Sequence, residues 1–173
     1  YWDRVKDLIE LASGAKFPPQ YIEGKLKFSP YLRDCIVLGG KEREFVAAMI
    51  AMDFDICGRW AETHRLPYTT FIDLSQKQEI IDLIKKDINK VNQTLPEEQR
   101  VKRFISMHKE FDPDEAELTR TRKLRRSFME ERYKGIIEAI YSGQDVYSIE
   151  SALVYRDGRT GVVKAEIKIN SLE

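Results

Sequence analysis

Two apolar phrases decide how this chain reads: C-I-V-L-G-G at residues 35–40 and E-F-V-A-A-M-I-A-M-D-F at 44–54, parted by K-E-R at 41–43. Both are short, and the first is stopped by the pair Gly39-Gly40. Apolar runs of this length, bounded by turn residues, predict two neighbouring buried strands joined by a charged turn. Strands this apolar must be covered, so helices are required on the sheet, in two layers or a filled-in third.

Working outward supplies those helices. Pro18 and Pro19 suit a helix start, where the missing N–H costs nothing, and Ile22 and Leu26 then share a face. Pro30 stops that helix at about Ser29. Asp55 is placed to cap a short helix carrying Ile56 and Trp60. Ser75 with Gln78 resembles a capping box, and Ile80, Ile81, Ile84, Ile88 and Val91 follow at helical spacing until Pro96. R-V-K-R-F-I-S-M-H-K-E-F (100–111) reads as a third strand. Leu124, Phe128, Ile136, Ile137 and Ile140 predict a last long helix closed at Gly143. A hairpin is expected at each end. The first turns near Ser13-Gly14. The second pairs the alternating positions Tyr147 to Tyr155 with Val163 to Ile169 across D-G-R-T-G. The fold class is α+β: a small sheet of about three strands packed with helices, with an N-terminal hairpin and an extra C-terminal β-hairpin. No repeat or low-complexity segment interrupts it.

The chain has 173 residues, 29 Lys and Arg against 29 Asp and Glu, and two cysteines. That length suits one domain with an appendage. Balanced charge argues against a broadly basic nucleic-acid binder. Cys35 and Cys57 are too few for a disulfide framework and read as reduced cytosolic thiols. His64 and His108 stand apart from other ligand types, so no metal site is expected. No apolar run approaches the ~18 residues of a membrane span. The start at Tyr1, inside an apolar-aromatic phrase, looks like a cut within a longer polypeptide.

One stretch breaks the charge balance: E-L-T-R-T-R-K-L-R-R at 117–126. Cations at a helix start oppose the dipole by a few tenths of a kcal/mol each. The acidic loop 112–117 and Glu130, at i,i+4 from Arg126, offset part of this. Lys123 has no such partner, since its i+4 neighbour is Ser127. A lone lysine can deliver one compact charge to a phosphate or carboxylate. Neither a G-x-x-x-x-G-K-[ST] loop nor a G-x-G-x-x-G turn is present, so the residues alone describe half of an anion site.

Two segments in order resemble a known family. D-R-V-K-D-L-I-E-L-A-S-G-A-K-F-P-P-Q-Y-I-E (3–23) is similar to the phrase that opens the C-terminal domain of the AMP-forming acyl-CoA synthetases, the adenylate-forming superfamily. T-R-T-R-K-L-R-R (119–126) is similar to its late lysine motif, with Thr121-Arg122 where many relatives have Ser-Gly. K-L-K-F-S-P-Y-L-R-D-C-I-V-L-G lies between them at the expected place. The likeness is greatest to long-chain fatty acid–CoA ligases and covers residues 1 to about 143. Residues 144–173, the appended hairpin, lie outside it.

The resemblance implies a lid that rotates between two half-reactions: adenylation of a carboxylate by ATP, then transfer of the acyl group to coenzyme A. By that resemblance Lys123 contacts the reacting carboxylate and phosphate. Arg4 and Lys16 approach the nucleotide, Lys6 is the hinge, and Ser13 and Gly14 line the pantetheine tunnel. Glu23 matches a structural glutamate. ATP, Mg2+ and CoA belong to the full-length enzyme, and none is expected to bind this domain alone. Its expected partner is the N-terminal AMP-binding domain of the same polypeptide, with fatty acid as the other substrate. The isolated piece is expected to be inactive, and the whole enzyme to be cytoplasmic or peripheral to a membrane. Two readings compete: a nucleic-acid-binding module using the 120–126 cluster, and a lid-like domain that has lost catalysis.

Overall fold

The computed structural model describes residues 8–111, 126–154 and 160–172. Its centre is a five-stranded sheet in the order β3-β4-β5-β7-β6. The two phrases that opened the reading are β3 (Leu32–Leu38) and β4 (Val46–Met52), an antiparallel pair, and every residue of β4 is buried. The third expected strand is β5 (Val101–Ser106), parallel to β4. The terminal hairpin, β6 (Val146–Val154) and β7 (Thr160–Ser171), extends the sheet by two strands, because β7 pairs antiparallel with β5.

Side chains alternate across a strand, and here the alternation feeds two cores. Cys35, Val37, Val46, Ala48, Ile50, Met52 and Phe104 face one cluster; Ile36, Leu38, Ala47, Met49, Ala51 and Ile105 face the other. The first cluster is covered by α1 (Pro19–Leu26), α2 (Phe54–Thr63), α3 (Phe71–Ser75) and α4 (Gln78–Asn92). The second is covered by α5 (Arg126–Arg132) and α6 (Lys134–Tyr141). The filled-in third layer is the packing adopted.

Local details depart from the sequence reading in several places; α1 ends at Leu26 and not at about Ser29, and the third strand ends at Ser106 and not at Phe111. Asp53, not Asp55, caps α2, its Oδ1 accepting the Ile56 amide at 3.0 Å. Ser75 does not begin a capping box. The chain forms α3 first, with Thr70 accepting the Asp73 amide at 3.1 Å, and the Ser75 hydroxyl donates back to Ile72 O at 2.8 Å. The expected long last helix is two helices broken at Tyr133, whose buried ring packs in the second cluster.

The edge and the crossover are each held by one polar side chain. β3 is an edge strand, and Glu23 on α1 accepts the Val37 amide at 2.7 Å, with its residue 7% exposed. A carboxylate there satisfies a backbone donor that would otherwise invite another chain. Asn92, at the end of α4, both donates to Val101 O (2.9 Å) and accepts from Val101 N (3.0 Å). That reciprocal pair fixes where the helical crossover delivers β5.

Candidate functional site

The Ser13-Gly14 loop closes a two-stranded ribbon, β1 (Ile9–Glu10) against β2 (Lys16–Phe17), paired Ile9 with Phe17 and Glu10 with Lys16. Leu11 N donates to Ala15 O at 2.8 Å and Gly14 N to Leu11 O at 2.9 Å. The turn requires φ +89° at Gly14, a left-handed value at which a Cβ is strained. Ser13 and Gly14 are exposed, yet the loop is anchored. Leu11 and Phe17 are buried in the first cluster, and the Phe17 ring lies against Gly39 so closely that a Cβ there would sit 2.4 Å from Phe17 Cζ. Ala12 N donates to Arg43 O at 2.8 Å, tying the loop to the β3–β4 turn. Lys16 is exposed, and its carbonyl accepts from Gln99 Nε2 at 3.2 Å just before β5 begins.

Ser13, Gly14 and Lys16 are thus brought together on one ribbon, at the end of the sheet where β4 and β5 start. Arg4, Lys6 and Lys123 lie outside the described residues, as do the acidic loop and residues 120–125 of the basic cluster. The two flanks of the Lys123 segment are described. Phe111, 3% exposed, and Met129, fully buried, both belong to the second cluster. Met107 N still bonds Ile50 O at 2.7 Å, and Glu110 meets Arg33, at the start of β3, at 3.6 Å. His108 and Tyr133 stand edge to face at 6.4 Å. These contacts put the flanks at the end of the sheet where β4 and β5 finish. β4 is seven residues long, so the two places are separated by a strand of about 20 Å.

A groove of about 280 Å³ lies at this second end, lined by His108, Arg132, Tyr133, Tyr147 and Glu150 among others. Lys109 Nζ lies 6.0 Å and Arg132 5.8 Å from the Tyr133 ring. Among the described residues no three His, Cys, Asp or Glu side chains gather as a metal site, and no helix is long and apolar enough to cross a membrane. Cys35 and Cys57 are buried and form no disulfide. Burial, with Asp53 adding repulsion, pushes the Cys57 thiol up from 9.0 to about 12.

Two residues that matter to this end carry no local signal. Arg103 on β5 donates to Ile140 O and Gln144 O, and its guanidinium lies 3.7 Å from Asp145. Gln76, after α3, donates to Ser106 O at 2.9 Å and accepts from Lys168 N at 2.8 Å. Both reach across 30 or more residues of sequence.

A five-stranded sheet covered by helices on both faces, with a two-stranded ribbon at one end, has the fold of the C-terminal domain of adenylate-forming enzymes. The chain belongs to the family of AMP-binding enzyme C-terminal domains, whose family model matches residues 6–145. It is 26% identical over 140 residues to the long-chain-fatty-acid–CoA ligase FadD15 of Mycobacterium tuberculosis, covering 80% of this chain and 23% of that protein. It is 23% identical over 192 residues to the long-chain-fatty-acid–CoA ligase ACSBG2 of Gallus gallus, covering 98% of this chain and 25% of that protein. The chain spans about a quarter of the length of these relatives. The adenylation domain of a carboxylate reductase from Mycobacterium chelonae superposes with a TM-score of 0.65 at 25% identity, covering 82% of this chain and 20% of that one. The expected family and the α+β class both hold.

Proposed function

We propose that this chain is the C-terminal lid of a long-chain fatty acid–CoA ligase. In the first half-reaction a carboxylate oxygen attacks the α-phosphorus of ATP and pyrophosphate leaves. In the second, the CoA sulfur attacks the acyl carbon, the bond to AMP breaks, and the thiol proton is lost. The large AMP-binding domain of the whole polypeptide would carry the acyl pocket, the phosphate loop and the magnesium ion.

The observation that supports this best is the opposition of the Ser13-Gly14 loop and the flanks of the Lys123 segment. A single rigid sheet holds Ser13-Gly14 at one end and the flanks of the Lys123 segment at the other. Turning such a body about the hinge at Lys6 exchanges one end for the other at a fixed active site. With the second end inward, the Lys123 ammonium would neutralise charge developing between carboxylate and phosphate. With the first end inward, the exposed Ser13-Gly14 backbone would line the path of the pantetheine arm, and Arg4 and Lys16 would lie towards the nucleotide. The two reactions need different groups, and one sheet serves both.

The test uses the full-length polypeptide. A charge aimed at a developing anion in a dry site is worth ~10²–10³ in rate. Lys123→Ala should therefore lower fatty-acid-dependent ATP–pyrophosphate exchange by about that factor, while CoA still reacts with supplied acyl-adenylate. The isolated 173-residue domain should show no exchange. Equal losses in both half-reactions, or exchange by the domain alone, would defeat the reading.

A further inference from the structure

The β6–β7 hairpin leaves the sheet in a way its sequence does not announce. β7 pairs with β5 only through Arg103–Ser171, Phe104–Asn170 and Ile105–Ile169. The β6–β7 ladder consists of nine further pairs, from Val146–Lys168 to Val154–Thr160, all beyond Ile169. Because β7 runs against β5, those pairs continue past the finishing end of β5. At ~3.3 Å per residue the ladder is about 30 Å long. It overhangs the end of the sheet that holds the flanks of the Lys123 segment, and not the end that holds Ser13-Gly14.

The root of this arm is fixed on both sides. Gln76 fills the split where β5 and β7 part, bonded to Ser106 O and Lys168 N. Arg103 grips the turn leading into β6, and Ile169 N donates to Asp145 O at 2.8 Å. One face of the ladder is used: Ile149 and Ile167 are buried in the second cluster, with Tyr147 and Ala165 packed against it. The opposite face, Val146, Ser148 and Glu150 with Lys164, Glu166 and Lys168, is exposed throughout. Glu150 and Lys164 are 65% and 81% exposed and 3.8 Å apart. Among the described residues β6 is also the free edge of the sheet.

We propose that this arm docks on the large domain of the same polypeptide and holds the lid in its first-step orientation. Three features select that occupant. The arm projects from the end that holds Phe111 and Met129, the flanks of the Lys123 segment, so on the ligase reading it reaches the surface that segment works on. The described part of its open face carries Ser148, Glu150, Lys164, Glu166 and Lys168 beside the exposed Val146, a largely polar surface of mixed charge that suits a contact between domains that must release in every cycle. The chain is about a quarter the length of its relatives, one of which aligns over 98% of it. The family match itself ends at residue 145, so the arm lies outside the part that the family model describes.

This inference rests on the ligase reading, and its test separates the two. In the full-length enzyme, residues 150–164 are replaced by an Asn-Gly turn, which keeps the rooted pairs, and a second variant carries only Glu150→Ala and Lys164→Ala. Pyrophosphate exchange should fall about tenfold in the shortened enzyme, the loss of a contact worth about 1.4 kcal/mol. The double substitution should cause a smaller loss of the same kind. Thioester formation from supplied acyl-adenylate should stay within about twofold of the parent in both variants. Unchanged exchange, equal loss in both half-reactions, or a change of oligomeric state with exchange intact would each overturn the proposal. Absence of fatty-acid-dependent exchange in the parent enzyme would instead count against the ligase reading.

Discussion

The carboxamide oxygen of Gln76 accepts the amide of Lys168 at 2.8 Å, and through this bond a residue from the helical crossover becomes part of the sheet. Its nitrogen meets Ser106 O at 2.9 Å, so one side chain spans the gap where two strands separate. Lys168 Nζ also reaches Gln76 O at 3.3 Å, which locks the pair in register.

Removing that amide strands Ser106 O and Lys168 N together. Gln76→Leu should cost about 1 kcal/mol or somewhat more, chiefly by unpairing the carbonyl of buried Ser106, since water can reach the Lys168 amide. Urea unfolding of this domain measures it. Hydrogen exchange at Lys168 should accelerate more than at Val37, whose amide is held by Glu23 far from the change. Uniform acceleration at both would mean Gln76 stabilises the fold generally and not the root of the arm.

Gly39 offers a sharper test of packing. A Cβ at this position would lie 2.4 Å from Phe17 Cζ and 2.5 Å from Phe17 Cε1, and Phe17 is fully buried. Gly39→Ala should therefore destabilise by about 1–3 kcal/mol through overpacking. Phe17→Leu in the same chain should recover part of that loss, because the smaller side chain frees the space. If the double variant is less stable than the sum of its parts, the clash is not with the ring.

These two cases show what the sequence could carry. β3 and β4 were legible because six of the seven residues of the first and all seven of the second are buried, between turn signals. α4 was legible because its isoleucines recur with the helical period. The Ser13-Gly14 turn was legible because a left-handed φ favours glycine. Gln76, Arg103 and Glu23 act through partners 14 to 92 residues away, and nothing in their neighbours marks them. The capping-box reading of Ser75 failed for a related reason: α3 is five residues long, and no periodicity reveals a helix so short. Of the site, the Ser13-Gly14 turn was legible, and its opposition to the flanks of the Lys123 segment was not, since that depends on the parallel pairing of β4 with β5.

The alkaline limb of stability has an assigned cause. Burial, more than the nearby Asp53, raises the Cys57 thiol from 9.0 to about 12. Burial likewise raises the Tyr141 phenol, against the opposing charge of Arg43, and that phenol donates to Phe45 O at 2.9 Å and Leu38 O at 3.2 Å. Groups whose folded pKa is raised hold protons that the unfolded chain releases, so stability falls as pH rises between the two values. The contribution of Cys57 is whole below about pH 9 and is lost from there towards pH 12. Urea midpoints should decline from pH 9 upward, and Cys57→Ala should remove part of the slope. In the folded domain at pH 8, iodoacetamide should label Cys57 far more slowly than in urea, and equal rates would contradict the burial.

Gly14 joins stability to function. Its φ of +89° penalises any side chain, although a Cβ would meet nothing within 4 Å. Gly14→Val should thus cost about 1–2 kcal/mol from backbone strain alone, without a clash. In the full-length enzyme the same change would place two methyl groups on the exposed loop proposed to line the pantetheine path. Misplacement of about 1 Å near reacting groups can cost ~10² in rate. Thioester formation from supplied acyl-adenylate should fall by about that order, while pyrophosphate exchange, proposed to use the opposite end of the sheet, stays near the parent rate. Gly14→Ala should fall between the two in the second half-reaction, because it adds strain with less bulk. Loss of exchange in step with thioester formation would show that the two ends of the sheet are not used separately, and the exchange of ends at one active site would have to be abandoned.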